Sequence, residues 1–274
     1  MLTLNSQGKT LHSTKPLIMG ILNVTPDSFY QKSRVMAVSE ATDIAGKMLL
    51  DGASILDIGG QSTRPGATAI SANEELDRIG AVIEAVVQHF PGVFISVDTY
   101  HSEVAKQVVG LGAHIINDIS GGQYDAHMFT TIAALNVPFV VMHVNENKEQ
   151  MHNVNASTSI LPVVHEFFTK TIAATKEAGI QQLIIDPGFG FSKTPEQNFE
   201  LISNLSLFSS FQKPILIGVS RKSSIYKTLG ITAAEALNGS TVLHTAAILN
   251  GASILRVHDI KEAKEVITLC SYLQ

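Results

Sequence analysis

The 274-residue sequence has a single cysteine, no tryptophan and only 16% charged residues, and each of these scarcities excludes a class of protein. Cys270 cannot form an internal disulfide by itself, which indicates a reducing compartment, so we expect a cytoplasmic protein. Because 45% of the residues are hydrophobic and few are charged, the chain is not intrinsically disordered. A chain of this length can bury a core that needs no disulfide or metal.

Long hydrophobic runs and an excess of basic residues are missing as well. The apolar runs have the length of strands, far below the roughly 20 residues of a membrane-spanning helix. The opening residues, MLTLNSQGK, lack the pattern of a secretory signal. The net charge is −5 and no basic patch indicates nucleic-acid binding. We therefore expect neither a membrane nor a nucleic acid among the partners.

The sequence does contain a repeated unit, a short apolar run followed by a segment with helical patterning. Most runs are apolar at successive positions, which is typical of parallel strands covered on both faces. The eight runs are 17–24, 54–59, 93–98, 114–119, 138–143, 182–186, 214–220 and 253–257. They predict an α/β fold, a single-domain (β/α)8 TIM barrel over residues 1–274, with a doubly wound open sheet as the alternative.

Some of the predicted helices carry capping signals. Ser71 and Glu74 form a capping-box pattern, in which the serine oxygen accepts from an orphan N–H and the glutamate reaches back. Ser102 is a candidate N-cap for a later helix. In the last helical segment, 261–273, Cys270 lies on the apolar stripe, so we expect it in the core rather than as a nucleophile.

Polar side chains gather at the carboxyl ends of the apolar runs, where the active sites of (β/α)8 barrels lie. A polar group in an apolar run costs a few kcal/mol unless it is paired. Any single one could be a paired buried side chain, but one at nearly every strand end indicates a shared site. These residues are Asn23, Asp57, Gln61, Asp98, Asn117, Asp118, His143, Asp186, Ser220, Arg221, Lys222, Arg256 and His258.

The strand-end side chains sort by chemistry into two groups. The acceptors suited to a flat heterocycle rich in N–H groups are Asp98, Asn117 and Asp186. The cationic or donor groups are Arg64, Lys222, Arg256 and His258. Positive charge concentrated in an acidic protein indicates an anionic small molecule, which we expect to be phosphorylated.

Motifs for nucleotides, metals and nucleophiles are weak. The glycine-rich loops 59–66 and 186–191 do not match the nucleotide-binding spacings, and each alone is more often a plain turn. No HExxH or CxxC spacing occurs, and no nucleophile elbow supports a catalytic triad. Mg²⁺ needs only a few oxygens plus substrate phosphates, so the sequence permits it without requiring it.

Taken together, the strand-end motifs resemble those of the dihydropteroate synthase family, the folate-pathway enzymes that sulfonamides target. The resemblance runs along almost the whole chain, with one motif for each strand. The motifs are MGILNVTPDSF at 19–29, DIGGQSTRPG at 57–66, SVDT at 96–99, INDISGG at 116–122, VMH at 141–143, DPGFGF at 186–191, SRKS at 220–223 and RVHD at 256–259.

This resemblance implies a transferase with small-molecule substrates. The implied reaction condenses 6-hydroxymethyl-7,8-dihydropterin diphosphate with p-aminobenzoate, giving 7,8-dihydropteroate and pyrophosphate through a dissociative, SN1-like displacement at the pterin CH₂. The resemblance also implies that Mg²⁺ joins the diphosphate through Asn23 and that the protein is a homodimer.

The resemblance further assigns roles to named residues. The implied catalytic residues are Asp98, Lys222, Asp27 and Arg64. The implied pterin-binding residues are Asp98, Asn117, Met142, Asp186, Gly218, Lys222 and Arg256. The implied diphosphate-binding residues are Asn23, Thr63, Arg256 and His258. The residues implied for p-aminobenzoate, beneath two mobile loops, are Phe29, Thr63, Pro65, Phe191 and Ser220.

Three loop positions depart from the family pattern, and two other functions stay open. Gln31, Lys32 and Ser33 replace the usual Asp-Gly-Gly, Gln61 stands where glutamate is common, and 144–148 lacks the usual Gly and Pro. The alternatives are a methyltetrahydrofolate-dependent methyltransferase and a non-catalytic pterin-binding homologue. The SRK and RVH motifs argue against the methyltransferase, because methyl transfer needs no diphosphate clamp.

Overall fold

An eight-stranded parallel sheet is the main element of the computed structural model, which describes residues 1–24, 34–62, 67–145 and 159–273. A two-stranded antiparallel hairpin, β1 (Leu2–Ser6) and β2 (Lys9–Ser13), precedes the sheet. The parallel strands are β3 (Leu17–Asn23), β4 (Ile55–Gly59), β5 (Phe94–Asp98), β6 (Ile115–Asp118), β7 (Phe139–Met142), β8 (Leu183–Asp186), β9 (Leu216–Ile217) and β10 (Ile254–Val257). All eight predicted runs are confirmed, whereas the hairpin was not predicted.

Helices connect the strands and cover the outside of the sheet. They are α1 (Arg34–Asp51), α2 (Ala72–His89), α3 (Ser102–Gly110), α4 (Met128–Leu135), α5 (Ile160–Glu177), α6 (Pro195–Ser203), a 3₁₀ helix (Leu205–Phe211), α7 (Ser223–Leu229), α8 (Leu237–Leu249) and α9 (Ile260–Cys270). None of the helices in the described ranges combines the length and apolarity that a bilayer span requires.

The sheet closes on itself. Its strand order is β8-β7-β6-β5-β4-β3-β10-β9. The two ends of this order meet where Ile185 on β8 forms a parallel bridge with Ile215, and the Ile185 amide donates to the Pro214 carbonyl at 3.0 Å. The predicted (β/α)8 barrel is therefore confirmed and the open sheet is wrong. That this one domain extends over all of 1–274 stays a prediction.

Side chains alternate between the two faces of each strand, so residues two positions apart face the same way. A lower inward-facing layer is apolar, and Leu2 and Leu4 of the hairpin pack against it. This layer contains Met19, Ile55, Phe94, Ile115, Val140, Ile184, Leu216 and Ile254. Two positions further along six of these strands come Asp57, Asn117, Met142, Asp186, Gly218 and Arg256. The inward face of the barrel therefore changes from apolar to largely polar towards the carboxyl ends.

The helix predictions are partly confirmed. The Ser71 side chain does accept from the Glu74 amide, but the Glu74 carboxylate pairs with Arg78 at 2.6 Å. The prediction for Ser102 is wrong, because it is the first residue of α3 and its amide donates to Asp125 at 2.7 Å. The Asp125 carboxylate therefore satisfies an orphan N–H of this helix. Cys270 is buried in the core, as predicted.

Candidate active site

Four inward-facing side chains meet at the carboxyl-terminal mouth of the barrel. Arg256 on β10 donates from Nε to Asp57 Oδ2 at 2.6 Å and from Nη2 to Asp98 Oδ2 at 2.7 Å. Asn117 on β6 donates from Nδ2 to the same oxygen of Asp57 at 3.1 Å. Asp57 is fully buried, and its Oδ1 atom has no hydrogen-bond partner within the described residues. The mouth therefore holds a guanidinium fixed between two carboxylates.

The electrostatics of this group favour a charged arginine and an easily protonated aspartate. Burial, together with the negative charges of Asp57 and Asp118, raises the pKa of Asp98 to about 7, against the opposing effect of Arg256 and Lys222. Burial opposes the charge on Arg256, but Asp57 and Asp98 outweigh it and hold the pKa of Arg256 above its ordinary value. A cation bound near Asp98 would therefore favour the ionised form of this carboxylate.

Asp186 and Lys222 form a second pair of opposite charges at the mouth. The Gly188 amide donates to Asp186 Oδ1 at 2.8 Å. Burial raises the pKa of Asp186, and Lys222 is the main positive charge that opposes it. The ammonium of Lys222 donates to the Phe189 carbonyl, and it lies 4.4 Å from the centroid of the Phe191 ring. Burial lowers the pKa of Lys222 to about 8, against the effect of Asp186.

An apolar patch lies beside these charges. Met142, at the end of β7, packs with Tyr100, Ile119 and Val144, and the Phe191 ring lies against this group. Gly218 follows β9, and a Cβ at this position would lie 3.8 Å from the Cβ of Arg256. The mouth therefore offers an apolar surface next to hydrogen-bonding groups, which suits an aromatic heterocycle.

The remaining predicted residues on described elements lie at the rim. Asn23 is exposed at the end of β3, and its Oδ1 atom and the Asp98 carboxyl both approach Gly59. Ser220 is buried, and its hydroxyl lies 3.2 Å from both the amide and Nδ1 of His258. The mouth thus brings together Asn23, Asp98, Asn117, Met142, Asp186, Phe191, Gly218, Ser220, Lys222, Arg256 and His258.

Some of the predicted site residues lie outside the described residues. These are Asp27, Phe29, Thr63, Arg64 and Pro65. The departures from the family pattern at 31–33 and 146–148 lie there too. Gln61, the third departure, is described, and it contacts the Tyr100 hydroxyl at 2.6 Å and accepts from the Ile70 amide at 3.3 Å.

Three polar residues at strand ends contact loops or helices instead of the other side chains of the mouth. Asp118 accepts from the amides of Ser120 at 2.7 Å and Gly122 at 2.9 Å. His143 is buried with its ring against Phe167, and burial lowers its pKa to about 2. Arg221 binds both oxygens of the Asp259 carboxylate at 2.9 Å, which ties the loop after β9 to the loop after β10.

Lys193 is a buried residue near the site that was not predicted from the sequence. Its ammonium donates to the carbonyls of His143 at 3.3 Å and of Gly188 and Phe191 at 2.9 Å each. Lysine is almost never fully buried without partners, but in sequence it follows a glycine-rich turn and resembles an exposed loop residue. No signal in the sequence distinguished it from a solvated lysine.

A metal cage made by the protein alone is not found among the residues described: no group of three or more His, Cys, Asp or Glu there could hold an ion. The rim has instead an exposed amide oxygen on Asn23 beside Asp98. Mg²⁺ usually keeps several waters and binds through one or two protein oxygens plus substrate phosphates. The oxygen donors at this rim fit that mode of binding.

Comparisons with known proteins agree with this geometry. The family model described as pterin binding enzyme matches residues 19–258. The dihydropteroate synthase of Escherichia coli (strain K12) is 40% identical over 264 residues, which cover 96% of this chain and 93% of that protein.

Several similar solved structures are dihydropteroate synthases. The Xanthomonas albilineans enzyme with 4-aminobenzoic acid is 36% identical with a TM-score of 0.91, covering 99% of this chain and 98% of that one. The Coxiella burnetii enzyme with pteroic acid is 36% identical with a TM-score of 0.89, covering 100% and 98%. The Yersinia pestis enzyme in a sulfonamide drug complex is 37% identical with a TM-score of 0.92, covering 99% of each chain. This chain belongs to the dihydropteroate synthase family of pterin-binding transferases.

Proposed function

We propose that this protein condenses 6-hydroxymethyl-7,8-dihydropterin diphosphate with p-aminobenzoate to form 7,8-dihydropteroate and pyrophosphate. The observation that carries the proposal is that Asp186 and Arg256 face one barrel mouth, close enough for each charge to shift the pKa of the other. Acceptors for an N–H-rich ring and cations for its phosphates thus share one site. The pteroic acid and 4-aminobenzoic acid carried by two similar enzymes match the proposed product and substrate in chemistry.

The pterin ring would bind between the acceptors and the apolar patch. Asp186 can accept two neighbouring N–H bonds from the amino-pyrimidinone edge. Asn117 donates to Asp57, which leaves its carbonyl oxygen as an acceptor. Lys222 and Asp98 complete the polar contacts, while Met142 and Gly218 border the ring, and the glycine leaves room for the ring beside Arg256.

The diphosphate would bind at the rim of the mouth. The Nη1 group of Arg256 makes no hydrogen bond to another described residue, so its two N–H groups are available for phosphate oxygens. We assign His258, Asn23 and Thr63 to the same subsite. Asn23 would hold Mg²⁺, which when bound screens the negative charge of the diphosphate.

The displacement at the pterin CH₂ would be dissociative. Because diphosphate is a good leaving group and the aniline nitrogen is a weak base, C–O cleavage precedes attack and positive charge develops on the pterin. The ionised carboxylate of Asp98 stabilises that charge more strongly than the neutral ground state. Its raised pKa falls as the cation forms, because a nearby positive charge favours the ionised form.

The p-aminobenzoate would enter beside the Phe191 ring and Ser220. We also assign Phe29, Thr63 and Pro65 to this subsite, and Asp27 and Arg64 to catalysis, from the family resemblance. A homodimer and a cytoplasmic location are further parts of the proposal, the latter because a single buried cysteine suits a reducing compartment. The methyltransferase alternative has no matching observation, since the rim carries the cation Arg256 and the hydrogen-bonding side chain of His258, groups that methyl transfer does not need.

The proposal is tested by incubating the protein with the pterin diphosphate, p-aminobenzoate and Mg²⁺, and following pyrophosphate and dihydropteroate together. We expect both products in equal amounts, and no dihydropteroate when p-aminobenzoate is omitted. Pterin binding without turnover would instead identify the non-catalytic homologue.

Two substitutions test the division between ring and phosphate binding. We expect Asp186→Asn to weaken binding of 6-hydroxymethyl-7,8-dihydropterin at least about tenfold, because it removes a charged acceptor. Arg256→Ala should mainly weaken binding of pyrophosphate. Calorimetry with each ligand measures both effects, and Lys176→Ala, at an exposed position on α5, is the control. An equal loss of pterin affinity in both variants would contradict the assignment.

A further inference from the structure

The ammonium of Lys193 forms all of its hydrogen bonds with backbone carbonyls near the site. Its side chain is only 6% exposed, and its three N–H groups donate to the carbonyls of His143, Gly188 and Phe191. It forms no ion pair with a described carboxylate within 4.0 Å. Burying an unpaired charge is costly, so these carbonyls are what hold the ammonium in place.

The carbonyls that Lys193 binds belong to the residues that orient the pterin site. Gly188 donates its amide to Asp186 at 2.8 Å and offers its carbonyl to Lys193 at 2.9 Å. Phe191 offers its carbonyl to Lys193 while its ring contacts Lys222. Lys193 is therefore connected to Asp186 through Gly188, and to Lys222 through Phe191.

The same ammonium joins the ends of two neighbouring strands. His143 follows β7 and Gly188 follows β8, and a Cβ on Gly188 would lie 2.0 Å from the His143 carbonyl oxygen. Next to Lys193, the Ser192 hydroxyl accepts from the Asn145 amide at 3.0 Å. The two loops are thus in contact, and Lys193 sits where their carbonyls converge.

The charge of Lys193 also acts on Asp186. Burial raises the pKa of Asp186, while the positive charges of Lys222, Arg256 and Lys193 lower it. His143 adds no charge from β7, since burial lowers its pKa to about 2. Burial and the charge of Lys222 lower the pKa of Lys193 to about 7, whereas Asp186 and the carbonyl acceptors favour its ammonium form. The two groups therefore support each other's charged state.

We propose that Lys193 is a positioning residue of the pterin site, which orients Asp186 through Gly188 and holds the Phe191 ring in place without touching the ligand. This inference rests on the proposed function, because it assumes that Asp186 binds the pterin ring. Lys193 would thus contribute to pterin binding only through its hydrogen bonds to the backbone and its electrostatic effect on Asp186.

Binding of 6-hydroxymethyl-7,8-dihydropterin to Lys193→Met and Lys193→Gln, measured by calorimetry between pH 6 and pH 8.5, tests the proposal. We expect Lys193→Met to weaken binding about tenfold at pH 7. As the pH is lowered, its affinity should also begin to fall at a higher pH than that of the unmodified protein. The reason is that Asp186 loses a neighbouring positive charge and is therefore protonated more easily. Lys193→Gln keeps two N–H donors but no charge, so its affinity should fall less while its pH profile moves in the same direction.

Two controls separate positioning from general stability. Lys176→Met removes an exposed lysine of α5, and Thr175→Ala alters a buried residue of the same helix. Neither should move the pH profile, even where Thr175→Ala lowers the unfolding free energy. Folded Lys193→Gln with the affinity and pH profile of the unmodified protein would overturn the inference. If the unmodified protein itself neither binds pterin nor releases pyrophosphate, it is the proposed function that fails.

Discussion

At the scale of single residues, the direction in which a side chain points determines its role more than its chemical type does. Asn117 and Asp118 are neighbours on β6, yet the first points into the mouth and the second shapes a loop. The same holds for Met142 and His143, of which only the methionine joins the apolar patch. Because side chains alternate along a strand, one of two adjacent polar residues must turn away from the barrel interior.

His244 on α8 is a buried residue whose charge should affect stability. It is 3% exposed, its Nε2 atom has no hydrogen-bond partner within the described part of the chain, and burial lowers its pKa to about 4. The unfolded chain therefore binds a proton near pH 6.5 that the folded protein rejects until about pH 4. This histidine makes folding less favourable as the pH falls through that window.

We expect His244→Leu to gain stability relative to the unmodified protein as the pH falls. The difference in unfolding free energy should change by about 2 kcal/mol between pH 7 and pH 5, measured by urea denaturation at each pH. Buried carboxylates such as Asp98 have the opposite pH dependence, but they are present in both proteins and cancel. His165→Leu, at an exposed position, is the control. A difference that stays constant with pH would contradict the prediction.

At the scale of elements, the loop after β8 is held from several directions by its own helix. Thr194 and Gln197 form a reciprocal capping box, with Pro195 in the first turn of α6. Asn198, fully buried, accepts from the Gly190 amide at 2.6 Å and donates to the Ser224 hydroxyl at 2.9 Å. What the sequence presents as a plain glycine-rich turn is a loop with little freedom to move.

Gly188→Ala should destabilise the protein by more than the cost of placing alanine at a positive φ. Gly188 has φ +73°, and an added Cβ would lie 2.0 Å from the His143 carbonyl oxygen, so the loops after β7 and β8 must separate. Gly230→Ala is a matched control, because Gly230 has φ +67° and nothing within 4 Å of its Cβ position.

We expect Gly230→Ala to cost about 1 kcal/mol of unfolding free energy and Gly188→Ala about 2 kcal/mol more, both measured by denaturant unfolding. Gly188→Ala should also weaken pterin binding, since the amide of Gly188 orients Asp186. Equal costs for the two substitutions would show that the close approach of the loops is not important.

At the scale of the whole molecule, stability and chemistry lie at opposite ends of the barrel. The apolar inward layer and the hairpin residues Leu2 and Leu4 fill the amino-terminal end. The polar inward residues, with Asp57 completely buried and Arg256 bound to it, occupy the carboxyl-terminal end. The apolar end supplies the burial that offsets the cost of placing charges at the other end.

Leu4→Ala should therefore lower stability without changing the site. Leu4 is 2% exposed in the apolar layer, so we expect a loss of about 2–5 kcal/mol of unfolding free energy. Pterin affinity, measured by calorimetry where the variant is folded, should equal that of the unmodified protein. Leu229→Ala, at a leucine that is 55% exposed, is the control. A large loss of pterin affinity in folded Leu4→Ala would contradict this separation.

The eight strands, their parallel arrangement and the end of the barrel at which the site lies could all be predicted from the sequence. These follow from local signals, because apolar runs, turn residues and polar strand ends can be recognised without knowing what they contact. The family motifs likewise identify the residues of the mouth. The hairpin was missed because its short strands carry a weak pattern and matter only through the barrel end that they cover.

Which charges pair, and which polar residues turn away from the mouth, depends on contacts between parts of the chain that are distant in sequence. The binding of Arg256 by Asp57 and Asp98 joins residues 199 and 158 positions apart, a distance over which no local pattern extends. The burial of Lys193 depends on carbonyls supplied by two loops that meet only after the barrel closes. Such contacts are determined by strand register and barrel closure, so they could not be predicted from local patterns in the sequence.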